Sequence, residues 1–96
     1  MIFGKVAGTV VSTRKSDSIK GTKYLLVQLC SRKENLSDSY LVALDLVGSG
    51  IGEMVIVSQG SSARQSELTY QKPIDAVIVG IVDLVEENGS TVYRKQ

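Results

Sequence analysis

The chain has no histidine and no tryptophan, and its 96 residues include one cysteine, one proline, four tyrosines and a single phenylalanine. Without histidine there is no imidazole base near neutral pH, no nitrogen ligand for zinc and no Ser-His or Cys-His pair, which excludes most familiar hydrolase chemistries. The lone Cys30 cannot close an internal disulfide, and no basic-then-apolar leader opens the sequence, so a reducing cytoplasm is the expected compartment. No apolar run approaches the roughly 18 residues that would span a bilayer, so no membrane is expected as partner. A charge of one sign is also missing. Eleven Lys and Arg against ten Asp and Glu leave +1, too little to draw the chain to nucleic acid or an anionic surface.

What is present is aliphatic. With 43% apolar residues in 10.3 kDa, the chain reads as one domain, 1–96, that hides only about 64% of its unfolded surface when it folds alone. Val, Ile, Leu and Thr fill short stretches bounded by Gly, Ser, Asn or Asp, which predicts strands over Met1 to Thr13, Lys23 to Cys30, Tyr40 to Leu46, Glu53 to Ser58 and Asp75 to Val85. Thr91 to Lys95 then pairs with the fifth strand across the Asn88-Gly89 turn. Polar loops are expected over Lys15 to Gly21, Ser31 to Ser39, Gly48 to Gly52 and Gly60 to Lys72. Ser62 with Gln65 forms a capping box, so one short helix is expected there, stopped by Pro73. The fold expected is mainly β, a small, closed or nearly closed antiparallel barrel of five strands with one short helix and a C-terminal hairpin.

Clean alternation fails in Ala76 to Val82, in Tyr24 to Val27 and in Met54 to Val57. A small barrel has one inside, so an outer face is expected to be covered, and oligomerisation follows from the pattern. Burying three outward aliphatics at about 1.5 to 3 kcal/mol each would favour association before its entropic cost.

The candidate sites are weak in chemistry. Gly48, Ser49, Gly50, Ile51 and Gly52 lack nucleotide-loop spacing and precede a strand where a phosphate loop needs a helix. Gly60, Ser61, Ser62 and Ala63 could offer helix amides, with Arg64, to an anion, or could cap a helix while Arg64 pairs across an interface. Cys30 has no His to activate it and reads as a packed small hydrophobe. Asp45, Asp75 and Asp83 sit at strand ends, where nothing in their spacing makes a carboxylate pair or metal site. No catalytic group, metal site or cofactor is expected, and the chain is not read as an enzyme.

In order and spacing, GKVAGTVVST from Gly4 to Thr13, GTKYLLVQ from Gly21 to Gln28, Leu41 to Asp45 leading through LVGSGIGE to Glu53, GSSAR at Gly60 to Arg64, and PIDAVIVGIVD from Pro73 to Asp83 resemble the EutN/CcmL family of bacterial microcompartment vertex proteins. The resemblance covers nearly the whole chain. It implies an OB-like barrel that assembles as a homopentamer and caps the vertices of a polyhedral shell, carboxysome or metabolosome, beside hexameric shell proteins and encapsulated enzymes. It implies a cytoplasmic location within that shell. Either Gly48 to Gly52 or Gly60 to Ala63 would then lie near the five-fold axis and its pore, where small residues suit converging backbones. Arg64, Asp75, Val77, Val79, Ile81 and Asp83 are the candidate subunit contacts. The competing expectation is an OB-like barrel that binds single-stranded nucleic acid. Five scattered aromatics and a charge of +1 supply neither a stacking platform nor an electrostatic funnel for it.

Overall fold

A computed structural model describes residues 1–11, 23–60 and 76–96. Seven strands follow one another: β1 (Ile2–Val10), β2 (Tyr24–Cys30), β3 (Leu36–Asp45), β4 (Met54–Gln59), β5 (Ala76–Ile81), β6 (Leu84–Glu87) and β7 (Ser90–Arg94). The first five close into a barrel in the order β1-β2-β3-β5-β4, and β6 and β7 form a separate two-stranded sheet. The expected helix begins at Ser62 and lies outside the described residues, among which there is no helix.

The barrel is not wholly antiparallel, as the strand pattern alone had suggested. β3 and β5 run parallel, pairing Leu44 with Val77 and Asp45 with Ile78, while every other seam is antiparallel. The physical reason is closure: β4 pairs with both β1 and β5, so the last barrel strand must seal the remaining gap against β3 in the direction its other partner dictates. This is the strand order of the OB-like topology that the sequence resemblance implies.

Alternation sorts side chains onto the two faces. Val6, Leu25, Val27, Ala43, Val55, Val57, Ala76 and Ile78 point inward and form the core, with Ile2, Leu41 and Ile81 packed at its edge. Leu44 and Val77 are fully buried too, yet they make a second cluster with Tyr24 and Leu46 on the outside of the wall. The apolar run of β5 is thus partly explained within one chain, because Ala76 and Ile78 fill the inside while Val77 fills this outer cluster.

Two elements differ from the sequence reading. The loop expected over Ser31 to Ser39 is half as long, because β3 begins at Leu36. The turn before it is closed by Ser31, whose hydroxyl accepts from the amides of Lys33 and Asn35 at 3.2 Å each, with Glu34 at a positive φ of 67°. The long fifth strand is also two strands. Val82 still donates to Met54 O at 2.8 Å, after which the chain leaves the barrel and β6 pairs with β7 across Asn88-Gly89, both at positive φ as a two-residue hairpin turn requires.

Ion pairs tie this hairpin to the barrel. Lys95 Nζ lies 2.7 Å from Glu53 and Arg32 Nε 2.5 Å from Glu87. The Lys95 hydrogen bond, then the Gly50 amide, holds the Glu53 carboxyl below its usual range, and the Arg32 hydrogen bond does the same for Glu87. Folded pKa values below the unfolded 4.5 mean that this contribution is complete above about pH 4.5 and is lost as pH falls through the lowered values. Amide resonances of residues 84–95 are therefore expected to shift in an NMR titration below pH 4.5 while barrel resonances hold. Simultaneous movement of both sets would show that the pairs do not position the hairpin.

Candidate assembly site

On the polar surface of the described residues, Lys5, Glu34, Glu53, Tyr93 and Lys95 line one cleft, where Lys5 pairs with Glu34 and Lys95 with Glu53. There is no cluster of three His, Cys, Asp or Glu side chains among the described residues, and no described helix is long and apolar enough to cross a membrane. Cys30 is half-buried, and burial, then the Glu34 carboxylate, pushes its thiol up, away from the thiolate a nucleophile needs. The surface also carries apolar side chains held on rigid backbone.

The Gly48 to Gly52 connection is held by hydrogen bonds at both ends. Asp45 ends β3 with its carboxylate buried, and that carboxylate accepts from the Val47 amide at 3.2 Å, from the Ser49 amide at 3.0 Å and from the Ser49 hydroxyl at 3.0 Å. Glu53 closes the far end, accepting from the Gly50 amide at 2.6 Å. Gly52 N–H donates to Val6 O at 2.8 Å and Val6 N–H to Glu53 O at 3.0 Å, so the loop is stitched to β1. Gly48 and Gly52 adopt φ of 74° and 89°, which disfavours any side chain there. The result is a fixed platform that leaves Val47 and Ile51 facing solvent, Ile51 at 73% exposure.

The candidate residues therefore separate. Gly48, Gly50, Ile51 and Gly52 lie at the surface, as does Gly60. Ser49 and Val77 are buried within their own chain, so their side chains present nothing to a neighbour. Val79 is exposed at a bulge in β5, Ile81 packs against the core edge, and Asp83 is exposed with Lys95 at 4.0 Å. Ser61, Ser62, Ala63, Arg64 and Asp75 lie outside the described residues.

Sequence reasoning missed one face altogether. Along β3 the even-numbered residues Leu36, Asp38, Tyr40 and Val42 point away from the core, and Leu36, Tyr40 and Val42 are each about half exposed. Their period-two spacing was in the sequence, but assigning Ser31 to Ser39 to a loop broke the run before Tyr40.

Residues 1–83 match the family described as ethanolamine utilisation protein EutN/carboxysome. The chain belongs to the EutN/CcmL family. Among EutN/CcmL relatives, the carboxysome shell vertex protein CcmL of a Nostoc species is 44% identical over 100% of this chain and 96% of its own length. The solved structure of CcmL from Gloeobacter violaceus superposes with a TM-score of 0.91 at 43% identity, covering 99% of this chain and 98% of that one. The pentameric microcompartment shell protein GrpN of Rhodospirillum rubrum superposes with a TM-score of 0.80 at 54% identity, covering 91% of this chain and 99% of its own. EutN/CcmL relatives thus share the fold of this barrel over nearly its whole length.

Proposed function

We propose that this chain is a structural vertex protein: five copies close into a ring that caps the corners of a bacterial microcompartment shell inside the cell. The observation that carries the reading is the likeness, over nearly the whole chain, to the pentameric shell protein GrpN. It is supported by large apolar side chains left exposed on one chain, Val42, Tyr40, Ile51 and Val79 among them. In this reading the whole chain, 1–96, acts as one unit, catalyses nothing, and meets hexameric shell tiles at its rim and encapsulated enzymes on its inner side. A flat sheet of hexagonal tiles cannot close on itself, and five-fold units supply the missing curvature.

Native mass spectrometry at micromolar and nanomolar chain concentration tests the reading. Five-chain mass at both is expected, and a monomer throughout would overturn it. The loop assignment has its own test. A Cβ at Gly50 would meet nothing in its own chain closer than Glu53 Oε1 at 3.6 Å, and its φ is not in the left-handed region. Gly50→Trp is therefore expected to keep the monomer fold by circular dichroism while lowering the pentamer fraction, because a large group is repeated five times where the backbones converge. An unchanged fraction would move the axis away from Gly48 to Gly52 and leave Gly60 to Ala63 as its lining, with Arg64, Asp75 and Asp83 as supporting polar contacts.

A further inference from the structure

The hairpin of β6 and β7 is a sheet of its own, contributes to neither core cluster and has no buried residue in either strand. A two-stranded sheet is marginally stable by itself. Ion pairs join this one to the barrel, Arg32 with Glu87 near the tip and Lys95 with Glu53 at the base. With so little apolar burial, the tip opens at a lower free energy than the barrel strands.

Asn88 and Gly89 make that tip. Glu87 pairs with Ser90 across them, and both tip residues are exposed at positive φ, 54° and 81°. Among the described residues, no hydrogen bond holds the Asn88 carboxamide or the Gly89 N–H. The space around Gly89 is open as well, since a Cβ there would meet nothing within 4 Å. A free carboxamide thus stands one residue before an unshielded backbone nitrogen. Asn35 is the contrast. Its N–H donates to Ser31 Oγ at 3.2 Å, its carbonyl accepts from the Ser31 N–H at 3.0 Å, and the bulky Leu36 follows it in β3.

We propose that Asn88 is a self-modification site, at which the chain converts its tip asparagine to aspartate and isoaspartate with water as the co-reactant. When the tip opens, the Gly89 nitrogen gives its proton to hydroxide and attacks Asn88 Cγ. The new N–Cγ bond closes a five-membered imide, the Cγ–Nδ2 bond breaks, and ammonia leaves with a proton taken from water. Water then opens the imide. Attack at Cγ restores the ordinary backbone and leaves aspartate, whereas attack at the Asn88 backbone carbonyl leaves the chain running through Cγ, as isoaspartate.

The two products act differently on the hairpin. Aspartate tolerates a left-handed φ, so it keeps the turn and adds a carboxylate beside Glu86 and Glu87. Isoaspartate adds a methylene to the backbone, which a two-residue turn cannot absorb while Glu87 stays paired with Ser90. Glu87 then leaves Arg32, and the hairpin comes away from the barrel. The site is a one-way timer that releases this arm.

The full chain is incubated at mildly alkaline pH, in buffer and in denaturant, and followed by intact mass and peptide mapping. The folded chain is expected to gain one mass unit at Asn88 and none at Asn35, faster as pH rises. If folded Asn88 stays intact for as long as the denatured chain takes to convert, the turn protects it and the assignment fails. Arg32→Gln removes the tie near the tip and is expected to speed conversion of the folded chain about two- to fivefold, the scale of an exposed ion pair. An unchanged rate would overturn hairpin opening as the gate. Hydrogen exchange on the separated products reads the release. Residues 84–94 are expected to lose protection in the isoaspartate form and keep it in Asn88→Asp, with the barrel strands protected in both. Protection retained in the isoaspartate form would overturn the timer.

Discussion

Replacing Gly4 by alanine is expected to destabilise the barrel by about 1 to 3 kcal/mol, the range for overpacking a filled core. That is about 5 to 20 °C in melting temperature for a domain of this size. Gly4 is buried in β1 and pairs with Leu29 on one side and Val55 on the other. A Cβ built on it would collide with Cγ1 of Val27, and it would come within 3.2 Å of the Gln28 carbonyl oxygen. Val27 is completely buried, so its side chain has no free direction in which to retreat. The cause is testable by a double-mutant cycle at one fixed chain concentration, since assembly would otherwise shift the apparent stability. Val27→Ala alone opens a cavity and Gly4→Ala alone overfills one, so the double variant should lose less than the sum by about 0.5 to 3 kcal/mol. Strict additivity would show that the backbone absorbs the clash and that close approach is not why glycine stands there.

Asp45→Ala is expected to cost about 2 to 4 kcal/mol and to loosen the Gly48 to Gly52 platform. Among the described residues the carboxylate accepts from both the Ser49 amide and the Ser49 hydroxyl, and Ser49 is buried. Orphaning a buried donor costs about 1 to 3 kcal/mol, whereas the Val47 amide, nearer the surface, can turn to water. Asp45→Asn keeps one acceptor oxygen and should fall between the parent and the alanine variant. Ser49→Ala removes only the hydroxyl bond and should cost about 1 kcal/mol. Denaturant unfolding gives the ranking Ala above Asn above Ser49→Ala in loss. Amide exchange should show the loop opening first, at residues 47–52. If Asp45→Ala unfolds within about 0.5 kcal/mol of the parent, the carboxylate is not what holds the platform, and water already shares its donors.

The two variants probe different parts of the proposed assembly. Gly4 belongs to the inner packing and affects every outer surface through the barrel as a whole. Asp45 acts on one loop, so a pentamer lost in Asp45→Ala with the barrel still cooperative would connect Val47 and Ile51 to ring contacts.

Strand identity was legible in the amino-acid sequence wherever aliphatic runs had clear ends. β2 and β4 fall within one residue of their expected limits, and the Asn88-Gly89 turn stands where it was read. Those are local properties: β-branched propensity, turn chemistry and period-two alternation act within a few residues. The break of β5 from β6 was not legible, because Val82 is apolar and Asp83 is tolerated on an exposed edge. Only the hydrogen bond from Val82 to Met54 O and the pairing of Lys95 N–H with Asp83 O show where the chain leaves the barrel.

The composition by itself determined that this chain carries no histidine-dependent chemistry, is rich in strands, and has more apolar surface than a small barrel can use. Which apolar residues are spare was decided only by tertiary structure. Val77 and Val79 are indistinguishable as sequence, yet Val77 is covered by Leu44 within its own chain while Val79, two residues on, stands exposed at a bulge. Tyr40 and Val42 became an outer wall only when β3 paired with β2 in a register that set Leu41 and Ala43 inward. A side-chain period assigns residues to two faces, but it takes the closure of five strands to say which face is the inside.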